Sequence, residues 1–353
     1  MARQQRIERA AMGSDPYKTA IIKLMRQLFV SHDPHTVFSD FVEVSAIAIS
    51  SRVDMAQFDV REKRYLEIVA RYTREDLDRF AGMFGQLHLC YQSRVDELGE
   101  PGTADIPGHG LGDVLGEIFM ALELGNARNG QFFTPYSVSM LMAMIAVGDG
   151  ASVREQGFAT LQEPACGSGG MVVATAQAMH HAGLSYPETL HATCVDIDRR
   201  CVHMAYVQLS LLGIPAVVVH GNALSLEVKE VWYTPAHAIV GWQGRLVRRL
   251  AAKAMLGLMR GEDPATEPGC VEDPSEAPGT ADVPIATTRD LQREAVSAGA
   301  ESELAVAECH DPAVSPSVPG DSVATLFEQV ISTRDLVPAQ ETIFDRIAQL
   351  VLF

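Results

Sequence analysis

The stretch LQEPACGSGGMVV, residues 161–173, joins two apolar runs through a loop of small residues. Gly167, Gly169 and Gly170 remove side chains where a strand would turn into a helix, so backbone there can approach a ligand closely. The sequence on either side fits that reading. From Phe158 onward, strand-like and helix-like runs alternate: FATLQ, MVVATAQAM, HATCVDI, RRCVHMAYVQLSLLG, AVVVHGN. Strand, helix, strand, helix, strand predicts an α/β fold with crossover connections and a parallel sheet. In such sheets ligands sit at the carboxyl ends of the strands near the switch point. The glycine loop lies at one of those ends.

What the loop can hold is narrowed by its neighbours. A dinucleotide fingerprint would need glycine at position 172, where Val172 stands, and a phosphate loop would need Lys and Ser or Thr after the glycines. Both phosphate readings weaken. Glu163 precedes the loop and Asp196 closes the next strand in TCVDID, which suits a ligand carrying positive charge. S-adenosylmethionine is such a ligand, cationic at sulfur and ammonium, with a ribose diol that Asp196 could accept. The lesser reading of Asp196 is a helix N-terminal charge, and Thr134–Pro135 in GQFFTPYSVSMLMAMIAV, taken alone, reads as an N-cap followed by a first-turn proline.

Further out, residues 14–124 are helical in pattern. Ser14 or Asp15 can cap a helix with Pro16 in its first turn, and Thr73 and Asp76 resemble a capping box. Apolar residues recur at Leu77, Phe80, Phe84, Leu87 and Tyr91. This region carries no constellation assignable to chemistry and is read as a packing or partner-docking domain. Beyond Gly261, the segment GEDPATEPGCVEDPSEAPGTADVP has few large apolar residues to offset its ordering entropy, which predicts a disordered acidic linker. AQETIFDRIAQLVLF then resumes helical spacing. The expected organisation is a helical domain over 1–125, a sheet domain over 126–260, the linker over 261–321 and a helical segment over 322–353.

The 353 residues carry a formal net charge of −17, which opposes unaided binding to a polyanion. If nucleic acid is the substrate, a partner subunit or a local basic patch must help. Arg245, Arg248, Arg249 and Lys253 form one such cluster, which reads either as a solvated helix face or as a phosphate contact. Six scattered cysteines without a CxxC pair, and His180, His181 and His203 without an HExxH pattern, predict a reduced cytoplasmic chain with no bound metal. The longest apolar run, MLMAMIAV, is too short to span a bilayer, so no membrane role is expected.

The ordered pair GQFFTP and EPACGSGG resembles the adenine-N6 DNA methyltransferases of type I restriction-modification systems, over about residues 112–223. The resemblance implies a Rossmann-like class I methyltransferase sheet. It also implies a cofactor site for S-adenosylmethionine built from Phe133, Thr134, Glu163, Pro164, Ala165, Gly167, Gly169, Asp196 and Asn222. In that family the fourth strand ends in NPPY or NPPF, whose Asn and Pro oxygens accept the adenine N6 hydrogens while the aromatic ring stacks on the flipped base. Neither motif occurs here. The nearest stretch is EVWYTPAHAIVGW, where Thr234, Pro235, Ala236 and His237 would stand in for them. It reads as a degraded catalytic site or, equally, as a surface turn. The short remainder after Trp242 predicts a sheet truncated on its C-terminal side.

Three functions remain open. The chain is a weakly active methyltransferase of a restriction-modification or orphan system, brought to DNA by a specificity or other partner subunit. Alternatively it is a non-catalytic S-adenosylmethionine-binding regulatory or assembly protein, or a methyltransferase acting on a different substrate.

Overall fold

The computed structural model describes residues 15–102, 110–125 and 133–259. The linker expected at 261–321, the helical segment expected at 322–353 and the first three residues of GQFFTP lie outside the described residues. Among the described residues, those up to 250 belong to one compact unit by internal contacts, and it holds all the elements that carry the site.

Four helices come first: α1 (Pro16–Leu28), α2 (Pro34–Ser50), α3 (Phe58–Val69) and α4 (Arg74–Leu98). Asp15 caps α1, accepting from the N–H groups of Tyr17 and Lys18, with Pro16 in the first turn. Thr73 and Asp76 close a reciprocal capping box at the start of α4. On α4, Phe80, Phe84, Leu87 and Tyr91 recur on one helical face and are buried. Burying side chains of this size stabilises the fold by about 1.5–3 kcal/mol each. The short α5 (Val114–Ala121) follows, capped by Asp113.

Next come α6 (Tyr136–Val147), α7 (Ala151–Gln156), β1 (Ala159–Glu163), α8 (Gly170–His181), α9 (Tyr186–Thr189), β2 (Leu190–Asp196), α10 (Arg199–Leu211) and β3 (Ala216–Asn222). The chain closes its described part with β4 (Glu227–Tyr233), α11 (Pro235–Ile239) and α12 (Trp242–Met259). One cluster of buried residues runs from Ile21 on α1 through Val172 and Met204 to Trp232 on β4, with no break near residue 125. Helix α6 begins one residue later than expected: Pro135 takes the cap position, so Thr134 makes no cap and stands exposed.

The fold mixes helices with a sheet whose four described strands lie in the order β1-β2-β3-β4. The pairs β1–β2 and β2–β3 are parallel, with Glu163 beside Cys194 and Asp196 beside His220. This is the arrangement the alternating pattern predicts. The fourth strand departs from it: β4 pairs with β3 antiparallel, setting Tyr233 beside Val217 and Glu227 beside Asn222. The reason is chain length. Only residues 223–226 separate β3 from β4, whereas a parallel return needs a crossover of about a dozen residues. Leu226 takes a positive φ of 58° to complete the reversal.

Side-chain parity assigns the two faces. Cys194, Val218 and Trp232 share one row, and the rings of His203 and Tyr206 on α10 pack against Trp232. His191, of opposite parity on β2, meets His237 of α11 and Trp242 at the start of α12. Both faces of the sheet are therefore covered, which explains why Leu190, His191 and Ala192 in succession are all buried.

Candidate functional site at the carboxyl ends of the strands

The loop between β1 and α8 is fixed from two sides. Towards β2, the Cys166 N–H donates to the Val195 carbonyl at 2.9 Å, and the Gly167 N–H donates to Asp196 Oδ2 at 2.8 Å. Gly167 and Gly169 adopt positive φ values of 54° and 91°, the conformations that favour glycine. A side chain at Gly167 would also meet the Phe133 ring, 2.9 Å from where its Cβ would stand. Phe133 in turn packs on Phe119 with ring centroids 5.4 Å apart. The segment before α6 and the glycine loop thus meet in the fold.

The opposite side of the loop rests on polar groups that the sequence reading did not single out. Ser168, buried between the glycines, donates its hydroxyl to Asp113 Oδ2 at 2.5 Å. Asp113 Oδ1 accepts from Gly116 N–H at 3.0 Å and from Gln208 Nε2 at 2.9 Å. Gln208 also donates to the Ser168 carbonyl at 2.6 Å, while its Oε1 accepts from Leu115 N–H and the Tyr91 hydroxyl. Two signals in the sequence could have flagged this group. Asp113 precedes Gly116 by the spacing of an N-cap, and Gln208 is a polar residue inside the apolar helix AYVQLSLLG.

Around the loop, the other expected residues take up definite places. Asp196 sits at the end of β2 with both carboxylate oxygens engaged, Oδ2 by Gly167 and Oδ1 by the Asp198 N–H at 2.8 Å. Burial pushes its carboxyl above the ordinary aspartate range, against the lowering effect of those two N–H groups. A carboxylate has about four acceptor positions, so capacity remains for a diol. Glu163 ends β1 half-buried, and Pro164, Ala165 and Thr134 are exposed. Asn222 ends β3, but its Oδ1 already accepts from Leu224 N–H at 2.9 Å and Ser225 N–H at 3.4 Å. What Asn222 offers a ligand is therefore donation from its amide nitrogen. Ile197, directly after Asp196, is 63% exposed and adds an apolar surface to the same rim. The Cys166 thiol is pushed well above its ordinary range by its hydrogen bond with Cys194 and by burial, which removes it as a nucleophile.

Thr234, Pro235 and His237 do not join this rim. Because β4 runs back antiparallel, they lie beside the amino end of β3, about 20 Å along the strand from Asn222 at ~3.3 Å per residue. Thr234 is fully buried; its hydroxyl accepts from Ala216 N–H and donates to the Ile214 carbonyl, both at 2.9 Å. His237 is buried with His191, the two imidazoles sharing a hydrogen bond of 2.9 Å. The Thr234 hydroxyl and His237 Nδ1 are engaged within the fold, and the turn WYTPAH ties β4 to the amino end of β3, away from the rim. The expected catalytic assignment of Thr234, Pro235 and His237 is corrected accordingly.

Two members of the basic cluster have structural employment. Arg249 donates to the Phe158 carbonyl and to Gln156, and lies 4.3 Å above the Phe158 ring. Arg245 donates to the Glu188 carbonyl and lies 4.1 Å above Trp242. Elsewhere, a shallow cleft lined by Met144, Asp149, Ala178, His181 and Gly183 opens at the far end of α8 from the glycine loop and holds none of the expected residues. Among the described residues, no cluster of three or more His, Cys, Asp or Glu side chains could hold a metal ion, and no helix is long and apolar enough to cross a membrane.

A mostly parallel sheet with a glycine loop after β1 and an acid at the end of β2 defines an α/β protein whose candidate site lies on one rim. Residues 109–241 match the family model described as N-6 DNA Methylase. A comparison with curated proteins gives no match. Among solved structures, the methyltransferase subunit of a type I restriction-modification system from Streptococcus thermophilus is 16% identical, with 60% of this chain and 56% of that chain covered and a TM-score of 0.26. The chain thus spans little more than half the length of that structure, and a superposition at that level places none of its residues.

Proposed function

We propose that the rim binds S-adenosylmethionine and that the chain is the cofactor-binding part of an adenine-N6 DNA methyltransferase of a restriction-modification or orphan modification system. The observation that carries this reading is the convergence of Phe133, the glycine loop and Asp196 at the carboxyl ends of β1 and β2. In this reading Asp196 accepts the ribose hydroxyls and Asn222 donates to the adenine ring of the cofactor. Glu163, with Pro164, Ala165 and Thr134, borders the methionine end. Gly167 and Gly169 keep the approach open. The sheet is of the Rossmann-like class I kind, and the chain works in the cytoplasm. The separation of WYTPAH from the rim supports low or absent turnover by the chain alone. DNA is then reached through a specificity or other partner subunit, which agrees with the net charge of −17.

The second reading, a non-catalytic regulatory or assembly protein that binds S-adenosylmethionine, is favoured by the same burial of Thr234 and His237. Isothermal titration with S-adenosylmethionine, followed by a labelled-methyl assay on DNA, separates the two. Heat of binding with N6-methyladenine formation supports the first reading, and heat without transfer supports the second. No heat at millimolar cofactor overturns both.

A further inference from the structure

Ser168 stands in the middle of the glycine loop, yet both its polar groups point away from the rim. Its hydroxyl goes to Asp113 and its carbonyl to Gln208. Asp113 and Gln208 come from α5 and α10, and Tyr91 from α4 completes the group, so three helices outside the β1–α8 unit converge behind one serine. The network is closed. Gln208 is fully buried with both amide hydrogens and both oxygen lone pairs engaged. Asp113 is also buried, and its carboxylate presses on the first turn of α8: a Cβ added at Gly170 would stand 2.9 Å from Asp113 Oδ2. An α5 N-cap needs only the bond to Gly116. The bonds to Ser168 and Gln208 are additional, and they act on the loop.

We infer that Asp113 and Gln208 are positioning residues for the glycine loop, setting its ligand-competent shape through Ser168. This rests on the cofactor reading above. A loop of Gly, Ser, Gly and Gly has little steric preference of its own, so an external anchor must choose among its conformations. Drawing the Ser168 side chain and carbonyl backward leaves the side-chain-free face of Gly167 against Phe133 at the rim, while that of Gly169 lies close on Ala205 of α10. Asp196 holds the same loop from the front through Gly167 N–H. The serine is clamped from behind and contacts no ligand itself.

The test uses the full chain and three variants, Asp113→Ala, Asp113→Asn and Ser168→Ala, with two readouts. Hydrogen exchange of the amides at 166–170 reports loop order without any ligand, and titration with S-adenosylhomocysteine reports binding per folded molecule. Asp113→Asn can keep the geometry, because its Oδ1 accepts from Gly116 and Gln208 while its amide nitrogen donates to the Ser168 oxygen. Asp113→Ala and Ser168→Ala should raise loop exchange and weaken binding about tenfold or more, with Asp113→Asn remaining near wild type. Ser168→Ala deletes one atom and leaves Asp113 and Gln208 paired, so it remains informative if Asp113→Ala does not fold. Unchanged loop exchange in Ser168→Ala overturns the inference, as does an Asp113→Asn variant no better than Asp113→Ala. Wild-type protein that binds no S-adenosylhomocysteine, with exchange still responding to Ser168→Ala, overturns the cofactor reading and leaves the clamp standing.

Discussion

At the residue scale, two positions read alike in sequence behave oppositely in the fold. Asp196 was placed by its sequence context after a strand, and it occupies the rim with its carboxylate holding the loop. Removing it takes away both a ligand acceptor and a loop anchor. Asp196→Ala is therefore expected to weaken S-adenosylmethionine binding by about 1–3 kcal/mol or more, the loss typical of a hydrogen bond to a charged acceptor. Titration calorimetry giving an unchanged affinity would remove Asp196 from the site. Thr234 was placed by analogy with a missing motif, and its hydroxyl is spent within the sheet. Rewriting Thr234, Ala236 and His237 as Asn, Pro and Tyr should create no methylation. Thr234→Asn alone should cost about 1–3 kcal/mol of stability by leaving the Ile214 and Ala216 backbone groups poorly satisfied. A triple variant that stays as stable as wild type and forms N6-methyladenine in a labelled-methyl assay would refute this.

At the element scale, the helices α11 and α12 after the antiparallel β4 cover one face of the sheet. Beneath that cover His191 of β2 meets His237 of α11. Burial lowers His191 to about 4, with the neighbouring His237 a smaller cause, and burial lowers His237 to about 4 as well. The unfolded chain takes up protons near the ordinary value of 6.5 while the folded pair does not. The stability they contribute is thus present above pH 6.5 and is lost as pH falls towards 4, at about 1.4 kcal/mol per pH unit for each histidine. Urea unfolding across that range should show this slope, with buried His203, lowered to about 3, adding to it; replacing His237 with Gln should reduce the slope by one histidine's share, and an unchanged slope would exclude His237 as a source. Arg245 and Arg249 of α12 belong to the same cover. Replacing both with Ala should lower Tm by a few degrees, from the loss of three ring contacts at about 0.5–1 kcal/mol each, and leave DNA affinity where it was. A large fall in DNA affinity with Tm unchanged would restore the phosphate-contact reading of this helix.

At the scale of the whole molecule, cofactor binding and methyl transfer are expected to come apart. The purified chain should bind S-adenosylmethionine yet bind DNA weakly and with steep salt dependence, since its net charge of −17 repels phosphate. Tight, sequence-specific binding by the chain alone at physiological salt would contradict the need for a partner. The sequence by itself determined the elements: the capping box at Thr73, the three strands ending at Glu163, Asp196 and Asn222, and the glycine loop between β1 and α8. Those features depend on residues within a turn or two of each other, so caps, periodicity and glycine conformations are legible locally. Only the tertiary structure decided which way β4 runs and what supports the loop. Thr234 meets Ala216 across 18 residues, and Gln208 meets Asp113 across 95. No local propensity encodes such a pairing. It is fixed by strand register and by the need to satisfy every buried polar group at once, a condition that exists only after the elements have packed.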